Sequence, residues 1–169
     1  MIIWINGPYG IGKTTLAEEL CKKLPDGFIF DAEEVGNAGR DNMPKKFFKE
    51  TFEEFPLWGE TCISLLEKLA AVYDGDILVP MTLVFPESVF DIIEKLRAKS
   101  IKMLHVMLEA DEKTVLERIL LRGEEEDCWC AQNIGRCITA QGKMPCDLRI
   151  SAADKTPEEI AAEVLGFIG

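Results

Sequence analysis

The sequence predicts an α/β fold in which a parallel sheet is covered on both faces by helices. Three observations predict it. Short apolar runs alternate with amphipathic helical stretches along the chain, the pattern of strand–helix–strand units. The run Ile77 to Thr82 shows no polar alternation, as expected of a strand buried on both faces. The first run, Ile2 to Ile5, passes through Asn6-Gly7 into a glycine-rich turn and then a helix. A chain of 169 residues fits one domain.

Each element has its own signal. After the first strand, Thr14 to Leu24 reads as a helix, with Leu16, Leu20 and Leu24 on one face and Pro25 as its stop. Phe28 to Phe30 is the second strand and ends on Asp31. Residues 33–60 are polar and aromatic, suited to a substrate-binding insertion, with Pro44 expected to open a helix. Leu57 to Tyr73 is a longer helix whose Ile63, Leu66, Leu69 and Ala70 form a stripe for burial. Ile77 to Thr82 is the third strand, Ser88 to Arg97 a helix, and Met103 to Leu108 the fourth strand. Asp111 is the expected N-cap of a helix running to Arg122. Residues 123–146 then depart from the pattern, with an acidic run and four cysteines, and are expected to form a lid. Leu148 to Ser151 is a fifth strand, and Thr156-Pro157-Glu158-Glu159 opens the last helix with a capping box.

Composition excludes several functions. The net charge of −11 opposes binding to a nucleic-acid backbone, which repels a polyanion. No run approaches the roughly 20 apolar residues of a membrane-spanning helix. With no basic leader before Ile2, the six cysteines read as reduced thiols and the expected compartment is the cytoplasm. The single histidine, His105, sits mid-strand among apolar neighbours and is expected in the core. No histidine-based triad or metal centre can be assembled around it.

The chemistry is carried by Gly7-Pro8-Tyr9-Gly10-Ile11-Gly12-Lys13-Thr14, which matches G-x-x-x-x-G-K-[ST]. Its glycines let backbone N–H groups turn inward as a nest for phosphate oxygens. The following helix, with Thr15 in its first turn, aims its N-terminal dipole at the same place. Lys13 offers a charge to the outer phosphates of ATP, and the Thr14 hydroxyl can enter the shell of Mg²⁺. The motif follows a strand and precedes a helix, which is the setting it demands. The expected fold is therefore a P-loop NTPase with five parallel strands.

A partner acid for phosphoryl transfer is sought at the strand ends, since all of them face one crevice in a parallel sheet. The third strand ends Pro80-Met81-Thr82 without an acid. Asp31, after the second strand, is the candidate to orient or deprotonate an acceptor hydroxyl; its alternative is a helix N-cap. Glu33 and Glu34 stand beside it as further candidates. Arg118 and Arg122, four apart on one helix face, and Arg136 in the expected lid are candidates to gather over the transferred phosphoryl group. Otherwise Arg122 and Arg136 pair with the acidic residues 124–127. Arg40, Phe55 and Trp58 are candidate acceptor contacts, and Phe47, Phe48 and Phe52 add to an aromatic cluster that suits either a pocket or helix packing.

Ile3-Trp4-Ile5-Asn6-Gly7, the P-loop, Asp31, Phe55-Pro56-Leu57-Trp58, Val79-Pro80-Met81-Thr82, Trp129 and Arg136-Cys137 together resemble the tunicamycin resistance protein family, over residues 1–165. The resemblance implies kinship with small-molecule and nucleoside monophosphate kinases and a strand order of 2-3-1-4-5. It also implies that Asp31 serves the acceptor hydroxyl, that Arg118, Arg122 and Arg136 contact ATP phosphates, and that residues 151–155 pack beside adenine. An acceptor such as a nucleoside-type antibiotic is suggested. Two other readings share these motifs: an ATP-dependent protein that sequesters an antibiotic without turnover, and a nucleoside monophosphate kinase.

Cys128, Cys130, Cys137 and Cys146 lack the paired C-x2-C spacing of structural zinc. Cys130, Ile134, Cys137 and Ile138 share a helical stripe instead, which makes them expected core residues. The oligomeric state leaves no mark on the sequence.

Overall fold

The computed structural model describes residues 1–169, apart from the side chain of Pro56. Its centre is a five-stranded sheet built from β1 (Ile2–Asn6), β2 (Phe28–Ile29), β3 (Ile77–Pro80), β4 (Met103–Glu109) and β5 (Leu148–Ser151). The strand order is β2-β3-β1-β4-β5, and every pairing is parallel. The P-loop strand is central, with Trp4 opposite Val79 on one side and His105 on the other.

Both faces are covered, and the continuous apolar run of β1 follows from that. Side chains alternate across a strand, so Ile3 and Ile5 enter one core with Leu16, Leu20, Val106, Ile160 and Val164. Ile2 and Trp4 enter the other with Trp58, Leu66, Val79 and Leu96. The first core lies under α1 (Lys13–Lys23), α6 (Glu112–Leu121) and α9 (Pro157–Ile168). The second lies under α3 (Pro56–Val72) and the stretch from α4 (Pro86–Ser88) through a π-helical segment (Val89–Glu94) to α5 (Lys95–Ala98).

Two segments depart from expectation. Pro44 opens only a 3₁₀ turn, Lys45–Phe47, with no buried residue to hold anything longer. The helix of this region is instead α2 (Ala32–Asp41), capped at its start by Asp31. Residues 123–146 hold α7 (Trp129–Gln132) and α8 (Ile134–Gln141), separated at Asn133. The cysteine stripe survives that break. Ile134 and Cys137 are buried in the fold, while Cys130 and Ile138 pack partly against the same core. Thr156 caps α9 with the expected reciprocal box.

Candidate functional site

The site begins with backbone that only glycine tolerates. Gly7, Gly10 and Gly12 adopt φ of 147°, 81° and 107°. A Cβ on Gly7 would stand 2.8 Å from the Leu108 carbonyl oxygen, and one on Gly10 would collide with Ile119. At Gly12 nothing lies within 4 Å; that side of the loop is open space. The loop is also tied from below. Gly7 N–H donates to Asn6 Oδ1 at 2.7 Å, and Thr82 Oγ1 donates to the Gly7 carbonyl at 3.0 Å.

Asn6 is the centre of that tie. Its Oδ1 also accepts from Leu83 N–H at 2.8 Å and from Gln141 Nε2 at 3.2 Å, while its Nδ2 lies 3.4 Å from His105 Nε2. The start of the P-loop, the stretch just after β3 and the end of α8 thus meet on one buried amide. His105 is part of this core, as expected, and burial pushes its imidazole down to about 4 despite the opposing charge of Asp147.

Lys13 lies over the loop, its Nζ donating to the carbonyls of Gly7 at 3.2 Å and Pro8 at 3.0 Å. Burial lowers its ammonium to about 8, and the negative charge of Glu33 opposes that shift. A lysine so desolvated gains from an arriving anion, which restores the charge that burial disfavours.

Two cavities flank this loop. The larger, about 580 Å³, is lined by the loop from Tyr9 to Leu16 and by Arg118, Arg122 and Lys155. The smaller, about 390 Å³, is lined by Arg40, Glu50, Phe52, Glu53, Thr82 and Trp129 among others. Tyr9, Glu33 and Cys130 line both. They form a shared wall.

A family profile described as an AAA domain matches residues 3–133, more than half of the chain, with the whole of the loop and its helix and all of β1 but Ile2. The chain belongs to the AAA domain family. This AAA domain is similar in structure to a tunicamycin resistance protein of Deinococcus radiodurans, with a TM-score of 0.84 and 26% identity over 99% of this chain and 95% of that one. The resemblance read from the sequence is borne out there, as is the strand order it implied. A sugar kinase from Janibacter sp. matches with a TM-score of 0.72 and 12% identity, covering 99% of this chain and 93% of that one. Shikimate kinase from Aquifex aeolicus matches with a TM-score of 0.65 and 17% identity, covering 99% and 96%. At those identities the likeness is one of fold. No curated protein matches significantly.

The AAA domain distributes the expected site residues unevenly. Gly10, Ile11, Gly12, Lys13, Thr14, Thr15, Arg118 and Arg122 all line the larger cavity. Arg118 is anchored, donating to the Ile11 carbonyl at 2.8 Å and to the Ala152 carbonyl. Arg122 pairs with Glu124. Arg136 lines neither cavity; it sits 3.4 Å from Glu50 and over the Phe85 ring. Asp31 is exposed, and its Oδ1 accepts from Glu33 N–H at 2.9 Å and Glu34 N–H at 3.1 Å. It lines neither cavity, whereas Glu33 lines both.

The aromatic residues need a correction. Trp58, expected at an acceptor, is 2% exposed, with its indole N–H donating to the Ala32 carbonyl at 2.7 Å. Phe55 packs against the same core. Neither lines the smaller cavity; both border a different one of about 230 Å³, with Ile92 and Lys95. Phe52 lines the smaller cavity instead, stacked on Trp58 and lying 4.2 Å beneath the Arg40 guanidinium.

Sequence reading missed Glu50 and Glu53. Glu53 holds Val84 N–H at 2.7 Å and Phe85 N–H at 3.1 Å, and burial raises its carboxyl above the ordinary range. Neither acid belongs to a motif, and only the fold brings residues 50–53 beside Thr82. Among the described residues, no group of three or more His, Cys, Asp or Glu side chains is arranged for a metal ion, and no helix is long and apolar enough to cross a membrane.

Proposed function

We propose that this AAA domain is an ATP- and Mg²⁺-dependent phosphotransferase that moves the terminal phosphoryl group to a hydroxyl of a small molecule. One observation carries the reading. The cavity lined by the glycine-rich loop shares the wall Tyr9–Glu33–Cys130 with a second cavity. A donor and an acceptor can meet there across a carboxylate.

The residues present suit the nucleotide and its metal. The left-handed loop leaves open space at Gly12, where a side chain would otherwise stand, and the hydroxyl of Thr14 lines the same cavity. Thr14 would hold Mg²⁺, a cation that takes oxygen donors. Bound there, the metal would neutralise charge on the phosphate oxygens. Lys13 would leave its carbonyl partners for the phosphates, and Arg122 would release Glu124 to join it. Arg118, fixed on the Ile11 and Ala152 carbonyls, would hold the nucleotide end near residues 151–155. Glu33 faces both cavities and takes the acceptor proton in this reading. Asp31 sets the start of α2 and so aims Glu33. Residues 123–146, with Arg136, would close as a lid and exclude water.

The acceptor site falls to residues 33–60, with Arg40 as its cation. The likeness to a tunicamycin resistance protein supports nucleoside-type antibiotics as acceptors to offer first, and ATP supply suits a cytoplasmic setting. The test is transfer of labelled phosphate from ATP to hydroxylated antibiotics, nucleosides and sugars. Turnover that disappears in Lys13→Ala is the expected result. Stoichiometric binding of ligand with no labelled product from any acceptor would refute the reading in favour of sequestration.

A further inference from the structure

The charge of the smaller cavity points to the kind of acceptor it takes. Resting on the transferase reading above, we propose that this cavity selects hydroxylated acceptors carrying an ammonium group, and turns away those carrying a phosphate or carboxylate.

Three acidic side chains line the cavity, Glu33 and Glu50 exposed and Glu53 with burial working against its charge. Glu53 cannot swing out, because its two oxygens are held by Val84 N–H and Phe85 N–H. Glu33 makes no ion pair among the described residues and shares the wall with the phosphate nest. Glu50 is matched by Arg136 at 3.4 Å.

Against them the wall offers one cation, Arg40, already engaged by the Phe52 ring at 4.2 Å and by the Lys49 carbonyl at 3.2 Å. Lys13 belongs to the neighbouring nest. A phosphate-bearing acceptor needs several fixed donors of positive charge, and this wall opposes it with like charge instead. Nucleotide in the larger cavity would add to the negative field.

The aromatic surfaces point the same way. Tyr9 and Trp129 meet edge to face at 4.8 Å on the cavity wall, beside Phe52. Aromatic faces attract cations, and Arg40 over Phe52 demonstrates that attraction in this wall.

The tryptophans permit a direct measurement. Trp4 and Trp58 are 0% and 2% exposed, while Trp129 on the cavity wall is 40% exposed. Collisional quenching therefore reports on Trp129. Caesium should quench about three-fold or more better than iodide, each scaled to its own quenching of free N-acetyltryptophanamide, since a negative local potential concentrates cations. The ratio should fall toward one in Glu33→Gln and in Glu50→Gln, both exposed positions. It should hold in Glu67→Gln, which removes the same charge at the opposite end of the strands. An iodide preference, equal quenching, or an equal fall in Glu67→Gln would overturn the proposal. So would transfer that favours sugar phosphates or nucleoside monophosphates over amino sugars. The predicted ratio in all variants, with no phosphate moved to any acceptor, would uphold the cavity's selectivity and remove the transferase reading alone.

Discussion

Lys13 is held in a state that phosphate would relieve. Its ammonium is buried on two carbonyls and lowered to about 8, so its charge is present at pH 7 and is lost as pH rises through that value. Phosphate binding requires the charged form. Nucleotide affinity should therefore be level between pH 6 and 7 and weaken by about ten-fold per unit well above pH 8, until phosphate contact raises the ammonium again. Titration calorimetry across that range checks it; affinity that is level to pH 9.5 would remove Lys13 from the cradle. The acids divide differently. Glu33→Gln should retain nucleotide binding and lose at least about 100-fold in transfer, the usual scale for a general base. Asp31→Asn keeps a good N-cap and should lose far less. Rapid-quench assays of the two variants separate these roles.

At the scale of elements, α2 shows how a cap serves a site. Asp31 occupies the first orphan N–H groups of the helix, and the same turn sends Glu33 to the wall between the cavities. Asp31→Ala should cost about 1 kcal/mol of stability, read as a lowered urea midpoint. Asp31→Asn should cost only a few tenths. The start of this helix was readable as a strand end followed by an acid, but the helix itself was not. Its sequence, Ala32 to Asp41, is polar with two glycines, and what holds it is α3 beneath. The π-helical turn Val89–Glu94 and the break at Asn133 likewise have no local signature in the residues that form them.

For the whole molecule, the two cores meet the site through Asn6, His105 and Gln141, which tie the first strand to the fourth and to the end of α8. Burial holds His105 neutral, at about 4 against an ordinary 6.5. The unfolded chain binds this proton first as pH falls, so stability should drop between pH 6.5 and 4 by roughly 3 kcal/mol from this group. Urea unfolding at several pH values measures it, and His105→Gln should flatten the slope over that window. By itself the sequence determined the strands and the glycine-rich turn that carries Lys13, because continuous apolar runs and a glycine-bound turn are local constraints that few other arrangements satisfy. The unbroken apolar run Ile77 to Thr82 already required a cover on both faces of the sheet. Only the tertiary structure decided which acids face the crevice, that Trp58 belongs to the core, and that Glu50 and Glu53 stand opposite Thr82. Side-chain direction at the ends of strands depends on how segments far apart in the chain pack together, and spacing along the chain does not encode it.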